Sequence, residues 1–351
     1  MNTKRVEQRT LSPDTPILKA LKLMDELGVK SLIVLKQNKF IGILSIGDIQ
    51  RAIIRNQPLN DTIAGILRLN PRIGHTGITL DEAKDLMLRY KMELLPVVNE
   101  ANEISSCFFW EDLFPKCQVK PIQGFNLPVV IMAGGFGNRL KPLTNVIPKP
   151  LIPIGEKTML EEIFSRFALY GCNSFYISVN YKAELIEYYI GELNLPYSIS
   201  YLKEEKPLGT AGSLHLLNDK INSTFFVTNC DIIIEQDYSE LLEFHRENNN
   251  EITIVAALKH YPIPYGIIET GANGNLKALV EKPELTFKIN SGMYILEPHV
   301  IPKIPKNKFY HITQLIHDVM QNGGKVGVFP VSEKSWKDVG DWKEYIGNVD
   351  Y

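Results

Sequence analysis

Two cations stand out in one stretch of this sequence. Residues 127–155 read LPVVIMAGGFGNRLKPLTNVIPKPLIPIG. Arg139 offers a planar fork of donors that matches phosphate oxygens in pairs. Lys149 lies between Pro148 and Pro150, whose fixed φ holds a cation on a stiff turn. Just upstream, Gly134, Gly135 and Gly137 lack the β-carbons that keep backbone N–H groups away from an anion. Together these groups suit a polyphosphate. A glycine-rich turn is also a common tight connection from strand to helix, and on the glycines alone both readings stay open. Two familiar phosphate loops fit poorly. Leu140 falls where the dinucleotide fingerprint needs its last glycine, and only Glu161 or Glu162, helical in pattern, could be its acidic residue. No Gly-Lys-Ser/Thr ending marks a Walker A loop.

The carboxylates come later. Asp231 follows the apolar run 225–229 and Cys230. Ligands of open α/β sheets collect at the carboxyl ends of strands, which puts Asp231 beside the glycine loop. On position alone the alternative, a cap on the next turn, stays open. Asp338 lies in Trp336-Lys337-Asp338-Val339-Gly340-Asp341. The string GGxGxRLxPLT followed by PKPLxPIG closely resembles the signature of the sugar-1-phosphate nucleotidylyltransferases. The segment Pro207-Leu208-Gly209-Thr210-Ala211, Glu281-Lys282-Pro283 and the late Trp-x-Asp-x-Gly resemble further motifs of that family, in its order. One departure is Asn138, where the family usually carries a small hydroxyl residue; an amide also hydrogen-bonds phosphate.

The resemblance implies a nucleoside triphosphate on Ala133, Gly134, Gly135, Gly137, Asn138, Gly209 and Thr210. It implies Mg²⁺ held by Asp231 and Asp338, with Asp341 better suited to cap the helix that it precedes. Tyr265, Gly266, Glu281, Lys282 and Asn290 become the side that receives a sugar 1-phosphate, and Arg139, Lys149, Asp231 and Lys282 the catalytic set.

These groups need a scaffold. At 351 residues the chain is too long for one ordinary core. From residue 127 onward apolar runs (129–132, 175–179, 197–202, 225–229) alternate with helical patterns. That order predicts an α/β, Rossmann-like sheet, mixed but mostly parallel, over 127–351, of the GT-A-like type that the resemblance implies. Thr158 and Glu161 form a capping-box sequence at a helix start, and Gly171 marks the stop. One more helix is expected after Asp341, which leaves no room for the left-handed β-helix that some relatives append.

Residues 1–120 carry an internal repeat. Ala20, Met24, Leu32 and Val34 recur at a constant offset as Ala83, Met87, Leu95 and Val97. Each copy (1–62 and 63–120) reads as helix, strand, polar turn, strand and closing helix, and neither has the apolar surface to stand alone. This α+β module resembles a tandem pair of CBS domains. The resemblance implies a regulatory nucleotide whose ribose meets Ser45 and Asp48 in the first copy. The second copy keeps Asp112 but has Phe109 in place of the hydroxyl residue. Asp48 as a plain helix cap, with the pair serving only assembly, is the competing reading. Residues 121–126, with Pro121 and Gly124, are expected to be the linker.

Composition narrows the partners. Hydrophobic residues at 44%, charged residues at 22% and a net charge of −2 describe a soluble globular protein with no electrostatic pull toward nucleic acid or anionic membrane. Cys107, Cys117, Cys172 and Cys230 show neither zinc-ligand nor disulfide spacing. No signal peptide or membrane span is legible, so cytoplasmic residence is expected, and a homo-oligomer is expected to assemble through the CBS pair or the catalytic face. The implied reaction is attack by a hexose or amino-hexose 1-phosphate on the α-phosphorus of a triphosphate, giving a nucleotide sugar and pyrophosphate. The family style points to GTP, with mannose 1-phosphate or glucosamine 1-phosphate. A non-catalytic sensor of nucleotides or sugar phosphates is the rival, and an NAD-dependent dehydrogenase a distant third.

Overall fold

The computed structural model describes residues 3–68, 70–90, 92–114, 124–340, 342 and 345. Asp341, Cys117 and residues 121–123 of the expected linker lie outside these. The chain divides into two compact units, Met1–Pro121 and Ile122–Tyr351.

In the first unit, helix α1 (Thr3–Gln8) leads into the short strand β1 (Thr10–Leu11). Then come α2 (Ile17–Leu27), β2 (Ser31–Lys36), β3 (Lys39–Ser45) and α3 (Ile46–Ile54). The same order returns as β4 (Gly74–His75), α4 (Leu80–Arg89), β5 (Leu94–Val98), β6 (Ile104–Phe109) and α5 (Trp110–Leu113). Each copy is a three-stranded sheet, β1-β2-β3 or β4-β5-β6, with one parallel and one antiparallel pairing. The two copies share a core: Ile33 and Phe40 of the first pack with Leu94, Val98 and Phe109 of the second. That is how two pieces too small to fold alone bury enough apolar area. Helix α1 was not legible, because its short run TKRVEQ has no apolar periodicity.

The second unit starts with β7 (Val129–Met132) and a small hairpin of β8 (Pro153–Ile154) and β9 (Lys157–Thr158). Helix α6 (Met159–Ala168), β10 (Ser174–Val179), α7 (Ala183–Glu192), β11 (Ser198–Lys203) and β12 (Phe225–Asn229) follow. Next come β13 (Ile232–Ile234), α8 (Tyr238–Glu247), β14 (Ile252–Pro262), β15 (Ile267–Thr270), β16 (Leu276–Val280) and β17 (Glu284–Leu296). Helix α9 (Ile312–Gln321), β18 (Val326–Val331) and β19 (Trp336–Asp338) complete it. The seven-stranded sheet runs β11-β10-β7-β12-β17-β14-β18. It is parallel except where β17 inserts antiparallel between β12 and β14.

Alternation along the strands serves two cores. Val130, Val227 and Leu296 join the cluster that includes Ile312, Leu315 and Val319 of α9. Phe226 of β12 packs instead on Phe167 of α6, at 5.2 Å between ring centroids, and near Tyr238 of α8. Phe125, inside the expected linker, stacks on Tyr170 and Phe226 of this aromatic face. Helix α6 begins with the expected capping box, Thr158 with Glu161. Residues 212–217 form a short 3₁₀ segment (Gly212–Leu217).

Candidate active site

Register brings four loops to one edge. Met132 lies opposite Ser178 in β10 and Asn229 in β12, and Val179 lies opposite Lys203 in β11. Because these strands are parallel, their carboxyl ends align. The glycine loop, the turn after β10, Glu204 and Asp231 therefore share a rim.

On that rim four charged side chains meet. Lys149, first residue of the 3₁₀ turn Lys149–Leu151, donates its ammonium to Asp231 Oδ2. Arg139 reaches both carboxylates, Nη2 at 3.5 Å from Asp231 Oδ2 and Nη1 at 3.6 Å from Asp338 Oδ2. Asp231 is 6% exposed, whereas the Arg139 side chain is 58% exposed and open to a ligand. Asp338 arrives through β19, which pairs antiparallel with β13 and sets Asp338 opposite Ile232. Burial, then the neighbouring Asp231 charge, push the Asp338 carboxyl above its usual range.

Gly340 makes room for this. A β-carbon there would lie within 2.8 Å of Asp231 Oδ2, Asp338 Oδ1 and Lys149 Nζ. Only glycine lets the three polar atoms converge. Gly137, at φ 65°, is similarly required: its β-carbon would stand 2.7 Å from Thr144 Cγ2. Two like-charged carboxylates on one rim, with phosphate-binding cations beside them, suit a hard divalent cation that takes its remaining ligands from phosphates and water. Cysteine chemistry does not compete, since burial pushes the Cys230 thiol up to about 12.

The other nominated residues fall in two groups. Gly209, at φ 82°, and Thr210 are braced by the segment leading into α9; the Ile312 N–H donates to Thr210 Oγ1 at 3.0 Å. Tyr265, Glu281, Lys282 and Asn290 are exposed, with Glu281 and Lys282 in the turn between β16 and β17. A β-carbon on Gly266 would lie 2.9 Å from Glu281 Oε2, so these two belong to one surface. Asn290 Oδ1 accepts from the Tyr294 hydroxyl at 2.9 Å and from Gly292 N–H at 3.1 Å. Among the described residues, no hydrogen bond or ion pair joins Tyr265, Glu281 or Lys282 to the four-charge cluster.

One buried residue escaped the sequence reading. Glu204 is 8% exposed and accepts from the Ser178 hydroxyl on one oxygen and from Leu208 N–H, at 2.8 Å, on the other. It thereby ties the Pro207–Gly209 turn to the strand edge. Nothing local in Glu204-Glu205-Lys206 signals its burial.

In the first unit, Ser45 and Asp48 form a capping box at the start of α3. Asp48 Oδ2 accepts from Ser45 N–H at 2.8 Å and from the Ser45 hydroxyl at 2.5 Å. Its Oδ1 accepts from Arg51 and, at 2.9 Å, from Arg68 Nε. Both oxygens are engaged by the protein itself. In the second copy Arg5 donates to both oxygens of Asp112, at 2.8 and 2.9 Å, and Arg9 to Glu111. The two guanidinium groups cover the Phe109 ring at 4.6 and 4.7 Å.

Residues 128–349 match the nucleotidyl transferase family and residues 1–55 the CBS domain. The mannose-1-phosphate guanyltransferase of Neurospora crassa is 34% identical over 229 residues, 63% of this chain and 62% of its own length. The Saccharomyces cerevisiae protein of the same name is 35% identical over 229 residues, 63% of each chain. This chain thus spans less than two thirds of the length of those curated relatives. Among solved structures, HddC from Yersinia pseudotuberculosis matches with a TM-score of 0.51 at 28% identity, over 63% of this chain and 97% of that one. Family match, mixed sheet and rim together place the chain in the nucleotidyl transferase family, with a CBS domain at its N-terminal end.

Proposed function

We propose that this chain is a sugar-1-phosphate nucleotidylyltransferase that uses GTP, with mannose 1-phosphate or glucosamine 1-phosphate as acceptor. The observation that carries the reading is the meeting of Arg139, Lys149, Asp231 and Asp338 at the carboxyl ends of the parallel strands. The names of the curated relatives favour guanine and mannose.

The mechanism follows from charge. An oxygen of the sugar phosphate forms a bond to the α-phosphorus, and the bond to the β-phosphate bridging oxygen breaks. Pyrophosphate leaves with the electron pair. The nucleophile is already anionic at neutral pH, so no side chain has to remove a proton. Catalysis is then positioning and charge neutralisation. Arg139, half open to solvent, grips the reacting phosphates in bidentate fashion. Lys149, fixed between two prolines, neutralises charge at the same place. Lys282, with Glu281 and Asn290, receives the acceptor's phosphate and hydroxyls. Asp231 and Asp338 would hold Mg²⁺, which when bound neutralises phosphate charge and aligns the triphosphate.

The first unit supports a coarser reading. We infer a tandem arrangement, 1–62 and 63–120, with any regulatory nucleotide confined to the first copy, because Phe109 lies under two guanidinium groups in the second. A nucleotide there must displace the Arg51 and Arg68 contacts to reach Asp48. Calorimetry with adenine and guanine nucleotides, repeated on Asp48→Ala, tests this.

The decisive experiment is pyrophosphate release from four nucleoside triphosphates against several hexose 1-phosphates. GTP with one of the two named acceptors should give the highest kcat/KM. Release with no pair would sink the enzyme reading in favour of a ligand sensor.

A further inference from the structure

Between Arg139 and Lys149 runs a segment with little regular structure of its own. It is a single 3₁₀ turn, Leu143–Asn145, followed by Val146, which is 72% exposed. A one-turn helix leaves its last carbonyls without internal partners. Here three consecutive carbonyls are met from outside. The Tyr181 hydroxyl donates to the Thr144 carbonyl at 3.2 Å. The Lys182 ammonium donates to the Asn145 and Val146 carbonyls at 2.6 and 2.7 Å. The same turn reaches the other loops of the rim: Tyr181 lies 5.4 Å from Phe136 between ring centroids, and Asn180 donates to the Glu204 carbonyl at 2.7 Å.

What is braced is the phosphate grip. Thr144 donates its hydroxyl to the Gly137 carbonyl at 3.0 Å, and Ile147 N–H closes back on Leu143 at 3.0 Å. Pro148 and Lys149 follow directly. Movement of the 143–146 turn would therefore shift both the glycine loop and the backbone that carries Lys149. Lys182 itself sits at φ 53° and ψ 38°, left-handed backbone that a residue with a long side chain rarely adopts. Its side chain makes no cap for its own helix, α7. An asparagine would accept that backbone more readily but could not span to both carbonyls.

We propose that Lys182, assisted by Tyr181, is a positioning residue for triphosphate binding: it caps the 143–146 turn and so sets where Lys149 meets phosphate. The inference rests on the nucleotidyl-transfer reading for its kinetic consequence, but the brace can be measured without turnover.

The test uses the full chain with Lys182→Asn, Lys182→Arg and Tyr181→Phe. In Lys182→Asn, amide hydrogen exchange over residues 143–149 should speed up about tenfold, with α6 and β12 unchanged. The melting temperature should match or exceed the wild type, since the left-handed position suits asparagine. Apparent KM for GTP should rise about tenfold, with KM for the sugar phosphate within about twofold. Lys182→Arg should recover most of both effects, and Tyr181→Phe should show a weaker version. Unchanged exchange over 143–149 in Lys182→Asn overturns the proposal, as does an equal rise in KM for both substrates. If the wild type transfers no nucleotide to any acceptor while the exchange result holds, the functional reading fails and the brace stands.

Discussion

Asp48 and Asp231 look alike from a distance. Each is a buried aspartate just beyond a strand, and each meets two cations. Their partners differ in kind. Asp48 is consumed mostly by its own helix: Ser45, three residues before it, caps with both its N–H and its hydroxyl, and Arg51 lies one turn ahead on the same helix, while Arg68 adds a contact from outside it. Helix formation explains that carboxylate. Asp231 is held by Lys149 and Arg139, from distant loops, and a second carboxylate, Asp338, is brought beside it through another strand pair. Folding gains little from gathering like charges at a partly dry rim, where desolvation raises the cost of each. Chemistry explains that cluster better than stability does.

The largest expected effect breaks the cluster at its centre. Asp231→Asn keeps shape but removes a metal-binding charge, and kcat should fall by about 10³-fold or more. Pyrophosphate release at saturating Mg²⁺ measures it; a rate near wild type would show that Asp231, like Asp48, serves the fold and not the chemistry. Arg139→Ala should follow, with a loss of about 10²–10³ in kcat, since its guanidinium faces both carboxylates and solvent at once. Lys282→Ala sharpens the contrast within the site itself. Lys282 is exposed and apart from the four charges, so its loss should raise KM for the sugar phosphate about tenfold and leave KM for GTP nearly unchanged. Equal changes for both substrates would move Lys282 to the nucleotide side.

The same contrast explains what the sequence let one read. Strands β7 and β12 and the capping box at Thr158 were legible because apolar runs and i,i+3 pairs are local signals. The repeat in the first unit was legible for the same reason. Illegible were the features made by distance. Nothing in the chain announces that β17 inserts antiparallel beside β12, or that Lys149 closes on Asp231. Glu204 has no local mark because its burial depends on Ser178 and on the Leu208 turn. Phe109 was recognised as a departure, but the guanidinium groups over it come from α1 and its flank, which had no periodicity to reveal them. The need for glycine at 340 comes from three side chains that converge on it, those of Lys149 and Asp231 from distant parts of the chain.

The smallest effect tests the other half of the comparison, the claim that Asp48 is explained by its helix. Burial alone would raise the Asp48 carboxyl, but the hydrogen bonds from Ser45 and Arg68 outweigh it and hold the group below its ordinary range. A depressed folded-state value means that the unfolded chain binds the proton more readily, so the contribution is complete above the ordinary carboxylate range and disappears as pH falls through the folded-state value. Asp48→Asn should therefore destabilise the first unit by about 1–2 kcal/mol at neutral pH, the usual worth of a lost cap. The gap between variant and wild type should narrow below about pH 4. Melting curves of the two full-length proteins from neutral to acid pH measure it, and the transition of the second unit should not move. A gap of the same size at every pH would mean that Asp48 acts through packing, not charge. The capping account would then lose its electrostatic half, and the carboxylate would again need a ligand to explain it.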